Sequence, residues 1–143
     1  MAVLGSDISI DLHIVGDVEL DTIRGIVQNN GRLRPELAED LRRAIEDTAR
    51  DIIEDAGATG CSLSVNLSLV EETVPGAPRQ RVDARLDVEG DRSQLAAVDD
   101  ALDTPKRARI SDAAEACLDE RLQERGLTDV VGCTVIVPPV QFR

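Results

Sequence analysis

Residues 35–56, PELAEDLRRAIEDTARDIIEDA, decide the fold. Leu37, Leu41, Ala44, Ile45, Thr48, Ala49, Ile52, Ile53 and Ala56 recur at three- and four-residue steps, which puts them on one stripe of an α-helix. Pro35 suits the first helical position, where a missing N–H costs nothing. Glu36, Glu39 and Asp40 occupy the first turns, where the helix dipole favours negative charge. Gly57 and Gly60 follow the last apolar residue and suit the left-handed backbone that ends a helix. A stripe of this length must be covered by a sheet or by other helices.

The flanking segments supply a sheet. Residues 61–70, CSLSVNLSLV, alternate: Leu63, Val65, Leu67 and Leu69 face one way, and Ser62, Ser64, Asn66 and Ser68 the other. Residues 81–88, RVDARLDV, repeat the pattern, with Val82, Ala84, Leu86 and Val88 opposite Arg81, Asp83, Arg85 and Asp87. The loop EETVPGAP between them makes the two strands an antiparallel hairpin. Before the helix, residues 8–15 alternate in the same way. Ile8, Ile10, Leu12 and Ile14 form the apolar row, and Ser9, Asp11 and His13 the polar one. Gly16-Asp17 ends that strand. Asp17 then caps a short helix carrying Leu20, Ile23 and Val27, and NNGR at 29–32 turns the chain.

After the hairpin, Ser93 is the expected cap of a helix bearing Leu95, Val98 and Leu102, interrupted at Thr104-Pro105. A second helical piece is expected from Ser111 to Gly126, burying Ala114, Cys117, Leu118 and Leu122. Residues 130–137, VVGCTVIV, form a last strand, evenly apolar and so expected to be buried on both faces. The order is then strand, helix, strand, strand, helix, strand. This predicts an α+β, ferredoxin-like βαββαβ fold: a four-stranded, mainly antiparallel sheet with helices on one face. Residues 1–137 are expected to make a single domain and 138–143 an extended C-terminal arm.

Composition narrows the function. The chain has 143 residues, 42% of them hydrophobic, enough for one real core. Tyr and Trp are absent and Phe142 is the only phenylalanine, so aromatic stacking on bases and aromatic cages for cations are unavailable. A net charge of −12 repels phosphate backbones and anionic lipid, which argues against direct nucleic-acid or membrane binding. Lys106 is the only lysine among sixteen basic residues. Acidity with arginine in place of lysine points to a salt-in halophile, with an ordinary acidic protein as the alternative. The start, MAVLGSD, has neither a basic region nor a long apolar run, so cytoplasmic synthesis without a leader is expected.

No motif carries chemistry. His13 is the sole histidine, and Asp11 two residues earlier shares its face, an arrangement open to general-base work or to an incidental surface neighbour. Asp99, Asp100 and Asp103 lack the spacing of a calcium loop and read as a solvated face. Cys61, Cys117 and Cys133 form no CxxC pair and read as small buried hydrophobes. No phosphate-binding loop and no nucleophile elbow is present. No catalytic residue, cofactor or metal is therefore assigned. The stiff segment Pro138-Pro139 carries Phe142 near its tip, a candidate anchor for a partner, and Arg81 and Arg85 on the polar strand face are candidate partner contacts.

One resemblance adds to this reading. It rests on Gly16-Asp17-Val18-Glu19-Leu20, on LRRAIEDTARDIIEDAGATG at 41–60 and on LSVNLSLV at 63–70. Over Gly16 to Val70 the chain resembles the neck and tail-completion (minor tail) proteins of long-tailed viruses. The tyrosine and the acid–glycine–threonine segment usual after that strand in the family are missing here. The resemblance implies a non-enzymatic structural subunit that forms a homo-oligomer with copies of itself and other structural proteins at a head–tail junction or tail, and so a virion location. The alternative is a small cytoplasmic regulatory or ligand-binding α+β domain.

Overall fold

A computed structural model describes residues 2–70 and 79–143. The chain runs through β1 (Ala2–Ile14), α1 (Leu20–Val27), β2 (Gln28–Asn29), β3 (Arg32–Leu33), α2 (Pro35–Asp55), β4 (Ser62–Val70), β5 (Arg79–Gly90), α3 (Arg92–Ala101), α4 (Thr104–Glu124), β6 (Val131–Ile136) and β7 (Gln141–Phe142). The main sheet has the order β4-β5-β1-β6, and every neighbouring pair is antiparallel. This is the ferredoxin-like α+β arrangement. The short helix α1 and the two-residue hairpin β2–β3 are inserted in the first crossover. The loop expected over 71–78 lies outside the described residues.

The alternation of the strands builds one core. Leu4, Ile8, Ile10 and Leu12 of β1, and Val82, Ala84, Leu86 and Val88 of β5, are all buried on the same side. Against them lie Leu37, Leu41, Ile45, Ala49, Ile52 and Ile53 of α2, together with Ile110, Ala114, Leu118 and Leu122 of α4. Of the expected stripe, Ala44 and Thr48 are half-buried and Ala56 is exposed, because the helix axis carries them to its flank. α2 ends at Gly57, whose φ of 80° is the left-handed stop, and Gly126 at φ 67° does the same after α4.

Several boundaries differ from the sequence reading, each for a local reason. β1 starts at Ala2 because residues 2–8 find a partner in the far half of β5, with Ala2 opposite Gly90. Asp17 caps nothing: α1 begins after Glu19, without a side-chain cap. Asp91, not Ser93, is the residue before α3, again without a side-chain cap. α4 begins at Thr104, where Asp103 accepts a 3.0 Å bond from the Lys106 N–H and Pro105 sits in the first turn. Pro105 therefore starts this helix instead of interrupting the previous one, and Ser111 lies inside it.

β6 is not buried on both faces. It is an edge strand, and the sheet side bearing Ile136 has no layer above it, which leaves that side chain 58% exposed. Its free edge is closed from above by α4. Ser111 Oγ donates to the Val135 carbonyl at 2.6 Å, and Glu115 accepts from the Val135 N–H at 3.2 Å. Arg107 Nε donates to the Val137 carbonyl at 3.3 Å. Pro138-Pro139 then breaks the strand, and residues 138–143 continue along the same flank of β1 instead of projecting. Ser6 Oγ donates to the Pro138 carbonyl at 2.8 Å, Val140 is buried, and Leu4 lies opposite Phe142.

Removing the helix-borne acceptor should expose what it satisfies. Glu115→Ala strands the Val135 N–H, and the expected loss is about 1–2 kcal/mol. Glu115→Gln, which keeps an acceptor oxygen, should cost less than half of that. Chemical denaturation at fixed salt measures both.

Candidate functional site: the uncovered face of the sheet

The helices cover one side of the sheet and leave the other bare among the described residues. The register sets that bare side out in rows across β4, β5 and β1. Val70, Arg81 and Asp11 share one row, followed by Ser68, Asp83 and Ser9, then Asn66, Arg85 and Asp7, then Ser64, Asp87 and Gly5. β6 adds Thr134 beside Asp11 and Ile136 beside Ser9. Arg81 and Arg85 thus lie together on this face.

The charges pair both along the strand and across strands. Arg81 Nε meets Asp83 at 3.2 Å and Arg85 Nε meets Asp87 at 2.9 Å. Arg79 lies 3.7 Å from Asp11 across the strands. Exposed pairs of this kind contribute about 0–1 kcal/mol each and exchange partners at little cost. Asp11 Oδ1 is buried with no hydrogen-bond partner.

His13 lies across Gly132, where an added Cβ would come within 2.4 Å of Nε2. Among the described residues no hydrogen bond joins it to Asp11. Asp103 is occupied as a helix cap, while Asp99 and Asp100 are exposed on α3. Among the described residues no group of three or more His, Cys, Asp or Glu side chains is placed to hold a metal ion, and no helix is long and apolar enough to cross a membrane. The three cysteines are half-buried, less than expected. Burial pushes their thiols up, that of Cys133 to about 12, with Glu115 adding to the effect there.

The C-terminal arm reaches the same face in a way the sequence did not announce. Arg143 Nε donates to Asp87 at 2.7 Å and Nη2 to Asp7 at 2.9 Å, while its backbone N–H donates to the Val3 carbonyl at 2.9 Å. The guanidinium rests on Gly5, where a Cβ would lie 2.1 Å from Nε. A side chain at this position would displace the guanidinium from the backbone it crosses. The hydrogen bond from Arg143 holds the Asp7 carboxyl below its ordinary range. Phe142 does not join this cluster. It is 46% exposed, with the Arg92 guanidinium 5.4 Å from its ring centre. An arginine whose acids lie one strand away (Asp7) and two strands away (Asp87) carries no local sequence signal; only the register reveals the contact.

No protein-family model and no curated protein matches this chain. Among solved structures, it is similar to an amidase of the hydantoinase/carbamoylase family from Burkholderia multivorans, at 16% identity and a TM-score of 0.36, over 97% of this chain and 28% of that one. A Burkholderia vietnamiensis amidase of the same family gives 17% identity and a TM-score of 0.36, over 98% and 28%. CutA from Synechococcus elongatus gives 15% identity and a TM-score of 0.20, over 94% and 80%. The chain spans under a third of the length of either amidase, and at these scores none of the three likenesses bears on its function.

The arm's hold should depend on pH and on Gly5. The Asp7 carboxyl is held low in the folded protein, so its pair with Arg143 contributes fully above the ordinary carboxylate value and is lost as pH falls below that value and through the lowered folded one. Gly5→Ala or Arg143→Ala should speed exchange of the Phe142 and Arg143 amides about fivefold at neutral pH. Hydrogen-exchange mass spectrometry reads this, and the difference from the parent should vanish in acid.

Proposed function

We propose that this chain is a non-enzymatic structural subunit that builds a homo-oligomer through the bare side of its sheet. The observation that carries the reading is the charge order along β5. Outward residues run Arg79, Arg81, Asp83, Arg85, Asp87, Glu89. Reversed end for end, every cation falls on an acid: Arg79 on Glu89, Arg81 on Asp87, Asp83 on Arg85. A surface that meets itself across a two-fold axis needs this self-complementarity.

The charge balance supports the same partner. Four arginines (79, 81, 85 and 143) face five acids (7, 11, 83, 87 and Glu89), a net of one negative charge where the chain carries −12. Two copies repel each other least on this side. Ile136 adds exposed apolar surface to it. The setting we propose comes from the sequence resemblance over residues 16–70: the head–tail junction or tail of a tailed virus of a halophile, with the other structural proteins of the virion as neighbours. The acidic helical side would then be the one turned to brine.

Sedimentation velocity at low salt and in molar KCl tests the assembly. The expected species is a multiple of the 15.4 kDa chain. The double variant Arg81→Glu/Arg85→Glu leaves two arginines against seven acids on the face and should weaken association roughly tenfold or more at low salt. A parent protein that is monomeric at both ionic strengths sinks the reading. Electron micrographs of the assembled species test the setting, where closed rings of uniform diameter are expected.

A further inference from the structure

The two ends of the sheet are built differently. The β6–β7 end is guarded: Ser111, Glu115 and Arg107 occupy its outer backbone groups, and Pro138-Pro139 interrupts it. β4 ends the sheet on the other side, and among the described residues its outer edge pairs with no strand. Natural edge strands are protected by charge, proline, bulges or shortness. The sequence of β4, SLSVNLSLV, has none of these over nine residues, in a chain that is 31% charged.

The strand also lacks full cover on its core side. Val65 is buried, but Leu63, Leu67 and Leu69 are only half-buried. Beside the start of β4 lies a groove of about 460 Å3, lined by Ile53, Ala58, Cys61 and Leu63 together with Arg50 and Glu54. A strand added at this edge would lay its inward side chains along that apolar row.

The strand's own sequence identifies the occupant. Read outward from Asn66, the nearest neighbours are Val65 and Leu67, then Ser64 and Ser68, then Leu63 and Leu69. The strand is nearly the same in both directions. We infer that β4 pairs antiparallel with β4 of a second copy about a two-fold axis through Asn66, joining the two sheets into one. This rests on the assembly reading above and adds to it a second contact, at the sheet edge.

In that register Val65 opposes Leu67 and Leu63 opposes Leu69 on the helix side, Ser64 opposes Ser68 on the bare side, and only the end pair, Ser62 with Val70, is unmatched. The two Asn66 amides meet at the axis, each able to donate to and accept from the other. A slip of one residue would set apolar rows against polar ones, and a slip of two would take Asn66 off the axis and set it against serine. No charge on β4 opposes the approach of a second strongly acidic chain. A strand from an unrelated protein would gain the same backbone bonds without this match.

The test is Asn66→Lys, which sets two ammonium groups face to face at the axis. Asn66 is exposed on the bare side, so far-ultraviolet circular dichroism should not change. At low salt the dissociation constant should rise roughly tenfold or more, and molar KCl should restore most of the association by screening. Ser64→Lys, which opposes Ser68 and not itself, should act more weakly. Hydrogen exchange supplies a second readout: the outward β4 amides are protected in the parent assembly and lose that protection in Asn66→Lys. An Asn66→Lys protein that keeps the parent's mass and β4 protection overturns the strand pairing and leaves the assembly reading standing. A parent that is monomeric at both salts overturns both.

Discussion

β1 is hydrogen-bonded on both of its flanks, and the rest of the molecule is placed by that fact. One flank carries β5 over residues 2–13; the other carries β6 over residues 9–14 and β7 at residues 4 and 5. Its even-numbered side chains lie at the centre of the core beneath the helical layer, and its odd-numbered ones form the middle column of the bare side. Period-two alternation sends these two sets to opposite faces, so one strand fixes both the core and the candidate interface. Arg121 of α4 adds a link between the helices through the Asp40 carboxylate and the Glu36 carbonyl, tying the ends of the two long helices together.

The sequence made the periodic parts legible and left the others hidden. The stripe of α2 and the alternation of β4 and β5 are local patterns long enough to outweigh propensity, and these elements lie where they are expected. The helix starts were harder, because three of the four helices begin without a side-chain cap and offer no cue. β6 misled for a different reason. An evenly apolar run reads as doubly buried, yet position at the edge of a half-covered sheet exposes Ile136, and nothing local encodes position in a sheet. The contacts of Arg143 with Asp7 and Asp87 were likewise out of reach, since they join residues far apart in the chain. Arg81 and Arg85, chosen for lying on a polar strand face, do sit together on the bare side, whereas Phe142 lies at its margin with Arg92.

The surface divides the electrostatic burden unevenly. α2 and α4 carry most of their acids outward, where Arg42, Glu39 and Glu46 form a partly neutralising network. The sheet side alternates sign at close spacing and is nearly neutral. The first surface favours solubility, and the second carries the weaker repulsion between copies. Association through β5 and association through β4 would use different two-fold axes, and two such axes in one subunit propagate beyond a dimer, to a closed ring of dimers or to an open row.

The pairing of β1 also fixes the order of events during synthesis. Its first partner begins at Arg79 and its others lie beyond Val131, so the strand that emerges first must wait, unpaired, for most of the chain. Until then α2 has only part of the surface it will cover. A ribosome-bound fragment ending before β5 would hold an apolar helix and strand with no floor beneath them. Folding is thereby deferred until the second half of the chain has left the exit tunnel, and the waiting segment is exposed to chaperones for that interval.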